Sequence, residues 1–146
     1  MLNKRARWNL CFADEGSEAD YENGQGRIIA FGDVPITNAI REELPKYLGE
    51  KARGLAAEGN YYYDAKKCYI GEHGDSERRK VVAVRLGETA PLYYRWYYRH
   101  EAVSDVMTLS LRHGDMYVMS EKAVGTDWKR SSIITLRHAA GSVKLK

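Results

Sequence analysis

From residue 60 onward the chain reads as a series of short runs rich in Val, Ile, Tyr and Thr, separated by turn residues. The runs 60–64, 68–73, 80–86, 92–98, 105–111, 116–119 and 133–138 predict strands, with a short eighth piece around 123–126. Gly87-Glu88, His100-Glu101, His113-Gly114-Asp115 and Gly125-Thr126-Asp127 supply the breaks. The first sixty residues are patterned differently. Residues 13–26 are acidic, polar and glycine-rich, which predicts a surface loop, and 27–32 is a brief β-prone run. Pro35 then opens a helical pattern in which Ile36, Ile40, Leu44, Tyr47 and Leu48 recur on one face. Pro45 inside that pattern predicts a kink and a second helical piece over 47–57, which Gly59 ends. The expectation is a mainly β, α+β chain forming a single domain over 1–146. A helical N-terminal part extends to about residue 59, and a β core of seven or eight strands over about 60–140 forms a sandwich or jelly-roll barrel.

Composition narrows the class without choosing a function. A chain of 146 residues, 44% hydrophobic and 29% charged, can bury a core without staples and looks like an ordinary soluble globular protein. Cys11 and Cys68 are far apart, with no Cys-x-x-Cys, so they read as reduced thiols of an intracellular protein. The first residues lack the apolar run of a signal peptide, and no segment reaches the roughly 18 apolar residues of a membrane span. The expected location is the cytoplasm, or the nucleus where the host has one. A net charge of +3, with basic residues spread among nearly as many acids, permits a polyanionic partner without arguing for one. The eleven tyrosines are more distinctive, clustering at 61–63 and 93–98.

The stretch with the most chemistry is His73-Gly74-Asp75. In an extended chain side chains alternate, so His73 and Asp75 project to one side with Gly74 between them. An imidazole and a carboxylate so placed can hold one metal ion from adjacent corners. A third ligand would complete the facial set of non-haem Fe(II) sites, with positions left open for other ligands. The bland alternative for the pair alone is a polar turn.

Several separated motifs fall in one order with this pair. Asn60-Tyr61-Tyr62 precedes it. Val84-Arg85-Leu86-Gly87, His113-Gly114-Asp115-Met116-Tyr117 and Thr135-Leu136-Arg137-His138 follow. The set resembles the AlkB-like family of Fe(II)- and 2-oxoglutarate-dependent dioxygenases, over about residues 60–140. That resemblance implies a double-stranded β-helix, a jelly roll backed by N-terminal helices, with His73 and Asp75 as the first two iron ligands. It implies that Asn60 and Tyr62 contact the co-substrate 2-oxoglutarate, and that Arg137 on the last strand grips one of its carboxylates. A planar guanidinium suits that task because it makes two parallel charge-assisted hydrogen bonds. The second His-Gly-Asp, His113 to Asp115, is expected to be a turn that opens a strand.

Two departures from the family pattern stand out. The distal histidine should fall between Glu121 and Trp128, where the chain has none. Asp127 is the nearest residue able to bind iron, and it reads equally well as a turn or capping aspartate. His138 ranks below it, because alternation turns His138 outward if Arg137 faces the pocket. The family often carries a second arginine six positions before the first, but Ser131 stands there and Arg130 is one residue out of register.

The resemblance implies hydroxylation of a substrate C–H bond by dioxygen with release of succinate and carbon dioxide, and favours oxidative demethylation of nucleobases in DNA or RNA. Tyr61, Tyr63, Tyr94, Trp96 and Tyr98 are candidate base platforms, and Arg78, Arg79 and Lys80 candidate phosphate contacts. Glu77 and Arg78 are expected to brace the metal pair, or to form a surface ion pair. The rival readings are a catalytically degenerate binding module on the same fold, which the missing distal histidine would explain, a protein-directed hydroxylase, and a cupin-like metal enzyme without 2-oxoglutarate.

Overall fold

Val-, Ile- and Tyr-rich runs fold as strands, and the protein is mainly β. The computed structural model describes residues 8–142, which fall into two compact units, Trp8–Tyr61 and the residues from Tyr62 on.

The first unit is a three-stranded sheet with one helix. Its strands are β1 (Trp8–Ala13), β2 (Ile28–Ala30) and β3 (Ala57–Tyr61), in the order β2-β1-β3. β1 pairs parallel with β2 and antiparallel with β3. The N-terminal part is therefore not simply helical. Helix α1 (Pro35–Leu48) starts with proline at its first turn, where a missing N–H costs nothing. It runs through Pro45 rather than breaking there. Pro45 forgoes one bond, the one its N–H would have made to the Arg41 carbonyl, with the helix ending three residues on, and its own carbonyl accepts the capping N–H of Gly49. The expected second helical piece is reduced to a 3-10 turn over Glu50–Ala52. Gly59 is a strand residue rather than a helix stop. A Cβ there would come within 3.3 Å of the Phe12 ring, so the bare backbone lets the aromatic lie against the strand. The 13–26 stretch is a loop tied by short bridges, Ser17 to Ile28 and Asp20 to Gln25.

The second unit contains β4 (Tyr69–His73), β5 (Val81–Val84), β6 (Ala90–Tyr98), β7 (Glu101–Ala102), β8 (Met107–Leu111), β9 (Met116–Met119), a one-turn helix α2 (Glu121–Val124) and β10 (Thr135–Gly141). From residue 68 on the strand expectations hold to within a few residues, except that the piece around 123–126 is the end of α2 and the loop after it; the expected core strand 60–64 is instead the end of β3, paired with β1 in the first unit. One antiparallel sheet runs β4-β10-β6-β7, with β8 also on β6, and β5 pairs with β9. The last strand thus inserts between two earlier ones.

Two apolar clusters fill this unit. Leu92, Leu111 and Ala140 form one, with Tyr62, Ile70, Tyr94 and Tyr117 packed around it. Met119, Ala123 and Val124 form the other, with Val81, Tyr94, Tyr117 and Leu136. Tyr94 and Tyr117 belong to both, which makes them the joint between the two strand groups. Among the described residues no helix is long and apolar enough to cross a membrane.

Leu92 is 2% exposed at the centre of the first cluster. Leu92→Ala is expected to cost about 2–5 kcal/mol through lost burial and a residual cavity, read as a lower denaturation midpoint with an unchanged m-value.

Candidate metal centre

β10 is the central strand beside β4, and the register sets His138 directly opposite His73 and, on the other side, opposite Tyr94. Directly opposed residues of antiparallel strands share a face, so His73, His138 and Tyr94 form a row across three strands. Asp75, two residues past His73, turns to the same side. The ligand atoms of His73, Asp75 and His138 all lie within 4.8 Å of one another. His73 Nε2 is 3.4 Å and His138 Nε2 3.6 Å from the same oxygen, Asp75 Oδ1. The imidazole centroids are 4.3 Å apart.

Backbone carbonyls orient both rings. His73 Nδ1 lies 2.8 Å from Gly71 O, and His138 Nδ1 lies 3.2 Å from Ala123 O. A carbonyl oxygen only accepts, so each Nδ1 carries the hydrogen and each Nε2 is left to face Asp75. Burial, then the neighbouring His73, push the His138 pKa below its ordinary value against the pull of Asp75. Its Nε2 therefore presents a lone pair at neutral pH. For Asp75, burial favours the neutral acid. The nearby His73, His138 and Arg78 outweigh it and hold the pKa below the usual carboxylate value. A neutral His138 beside an ionised Asp75 suits a divalent cation, whose ligands must be deprotonated. Two nitrogens and one oxygen are the donor set of the facial sites.

This arrangement reverses the expected roles of two residues. His138 does not point outward: it is 6% exposed and faces Asp75. Arg137 lies on the opposite face of β10, its guanidinium 4.0 Å over the Tyr97 ring and 5.5 Å from that of Trp128. The alternation argument was sound, but the strand is turned the other way. Asp127 is not part of the cluster. It sits in a 3-10 turn (Asp127–Lys129), where Oδ2 accepts a 2.6 Å hydrogen bond from Lys122.

Glu72 points away from the centre, as alternation requires, and is grouped with Arg95 and with the Tyr97 hydroxyl, which donates to it at 2.7 Å. Arg78 approaches Asp75 Oδ2 at 3.7 Å, the bracing role expected of it, while Glu77 is exposed. Tyr62 packs on the Leu92 cluster. Asn60 lies on β3, opposite Asn9, in the other unit. Arg130 and Ser131 are exposed in the turn before β10. The second His-Gly-Asp is a turn, as expected: His113 Nδ1 accepts from Gly87 N at 3.0 Å, Asp115 Oδ2 accepts from Arg112 N at 2.7 Å, and Gly114 has φ +85°.

Sequence reasoning missed Trp128. Its ring lies against buried Gly74, where an added Cβ would come within 2.6 Å, and its Nε1 donates to Ser76 Oγ. The glycine of His73-Gly74-Asp75 is thus required by packing. It also missed Tyr94 as a neighbour of the histidines. The Tyr94 ring is 6.3 Å from that of His138, and burial, with Tyr117 and Asp75 nearby, pushes its phenol up to about 12. Tyr94 is an interior residue rather than a base platform.

No protein-family model matches the chain, and no solved structure does. The chain is 49% identical over 144 residues to an uncharacterized protein of Acanthamoeba polyphaga mimivirus, covering 99% of this chain and 56% of that one. It therefore spans little more than half the length of this curated relative.

Two measurements test the geometry. Gly74→Ala should lower both thermal stability and metal affinity, because Trp128 or the His73–Asp75 spacing must shift; metal titration and a melting curve read both. The second is pH dependence. Because the folded pKa of His138 is depressed, its contribution is complete above the unfolded value near 6.5 and is lost as pH falls toward the folded pKa. Metal-free protein should lose stability on acidification below about pH 6.5, and His138→Asn should remove part of that slope.

Proposed function

We propose that the protein is an Fe(II)- and 2-oxoglutarate-dependent dioxygenase of AlkB-like type. The observation that carries the reading is the convergence of His73, Asp75 and His138 within 4.8 Å. It supports His138 as the third ligand, in place of the histidine that the chain lacks between Glu121 and Trp128. The insertion of β10 between β4 and β6 also supports a jelly roll, in which strands distant in sequence become neighbours.

With Fe(II), 2-oxoglutarate and dioxygen bound, the centre would supply oxidation of a substrate C–H bond with release of succinate and carbon dioxide. The chain's own residues have separate tasks. His73 and His138 present their Nε2 atoms, the rings fixed by the carbonyls of Gly71 and Ala123. Asp75 supplies the anionic ligand, and Arg78 restrains its second oxygen. Tyr94, Tyr117, Leu92 and Leu136 line the adjoining interior with apolar surface that excludes water. Arg137, on the far face, cannot serve a co-substrate at this centre in the arrangement observed.

The substrate reading is oxidative demethylation of nucleobases. The exposed aromatic rings of Tyr63 and Tyr98 and the exposed cations Arg79 and Lys80 support it.

The test is anaerobic titration of metal-free protein with Fe(II), with and without 2-oxoglutarate, following the visible charge-transfer absorption of the chelate. One iron per chain is expected, with the band lost in His73→Ala and His138→Ala and kept in Asp127→Ala. A protein that binds no iron, or whose iron affinity is indifferent to 2-oxoglutarate, would overturn the reading.

A further inference from the structure

His73, Asp75 and His138 each have, next to them in the chain, a residue that faces the reverse side of the sheet and meets Trp128 there. Gly74 separates the first two ligands, and the Trp128 ring covers it. Ser76 follows Asp75, and its Oγ accepts from Trp128 Nε1. Arg137 precedes His138, and its guanidinium lies 5.5 Å from the Trp128 ring. By alternation Trp128 stands behind Gly74, on the side away from the ligand atoms.

The segment that carries Trp128, α2 and the 3-10 turn after it, repeats this pattern with its backbone. Ala123 O orients the His138 ring, Gly125 O accepts from Ser76 N at 3.2 Å, and Val124 O accepts from Arg78 N at 3.4 Å. Lys122 and Asp127, 2.6 Å apart, tie the segment to itself. Ser76 has φ +74°, in the left-handed region that a serine keeps only when its surroundings hold it. Two bonds do so, one from its N–H to Gly125 and one to its Oγ from Trp128. The backbone just after Asp75, and with it the direction of the carboxylate, is set from this segment.

We propose that Trp128 is a positioning residue of the metal centre: from the reverse face it fixes the His73–Asp75 spacing and the aim of the Asp75 carboxylate, so that the ligands converge before a cation arrives. The inference deepens the metal half of the function proposed above and rests on it. It makes affinity for the cation, and not only packing around Gly74, depend on one hydrogen bond, Trp128 Nε1 to Ser76 Oγ. A set of ligands already in place loses little freedom on binding, whereas a carboxylate free to turn has to be ordered by the metal.

The test titrates metal-free protein with Co(II), whose visible absorption follows its coordination geometry, beside melting curves of the metal-free protein. Trp128→Phe keeps an aromatic ring on Gly74 and loses the N–H, and Ser76→Ala removes the acceptor. Each should weaken Co(II) binding roughly tenfold, the scale of a group that orients a metal ligand, and shift the visible band. The double variant should bind no more weakly than either single one, because both remove the same bond. A merely stabilising Trp128 would lower the melting temperature and leave the affinity and the band of the folded protein at their wild-type values.

Wild-type affinity and band in both single variants, or losses that add in the double variant, overturn the positioning role. If Trp128→Phe does not fold, the affinity and band of Ser76→Ala decide. The two proposals fail separately. Co(II) binding that follows the Trp128–Ser76 bond but ignores 2-oxoglutarate keeps the positioning role and removes the oxygenase reading. Iron and 2-oxoglutarate binding untouched by either substitution does the reverse, and a protein that binds neither Co(II) nor Fe(II) removes both.

Discussion

The centre depends on one cross-strand pair, His73 opposite His138. Antiparallel pairing of β4 with β10 puts the two imidazoles on one face, and the carbonyls of Gly71 and Ala123 turn both Nε2 atoms toward Asp75. Three electron-pair donors converge there at low exposure, an arrangement that only a proton or a cation relieves. A register slip of one residue would exchange His138 for Arg137 or Ala139 and dissolve the set. The register is held from both ends. β10 pairs along six consecutive residues with β6, and a bulge between His138 and Ala140 adjusts it to β4.

That bulge has a second effect. Ile70 lies three residues before His73, so regular alternation would place them on opposite faces. The register shift lets Ile70 join the apolar cluster beside Tyr94 while His73 still faces Asp75. The same sheet therefore carries apolar packing and polar ligands on one side, and the group of Glu72, Arg95, Tyr97 and Arg137 on the other. Each polar set is separated from the other by the thickness of one strand.

Much of the strand pattern was legible because the β runs are dense in β-branched and aromatic residues and turn signals separate them. The His73–Asp75 pair was legible too, since period-two geometry is local. The N-terminal half was less so. Strand β1 has mixed composition, Pro45 lies near enough to a helix end to be tolerated, and Gly59 marks a close approach of Phe12 rather than a stop. The direction of β10 was hidden for a different reason. Thr135, His138, Ala139 and Ala140 are all buried, so the strand lacks the polar–apolar alternation that would reveal its inward face.

The sequence by itself determined the mainly β character, the local His-Gly-Asp geometry and the turn made by the second His-Gly-Asp, because each follows from neighbours a few residues apart. Only the tertiary structure decided that His138 and not Asp127 joins the pair, that Arg137 faces away, and that Trp128 makes Gly74 obligatory. Each of these depends on which strands become neighbours and in what register. That is a property of long-range pairing, to which a residue's position along the chain is only weakly tied.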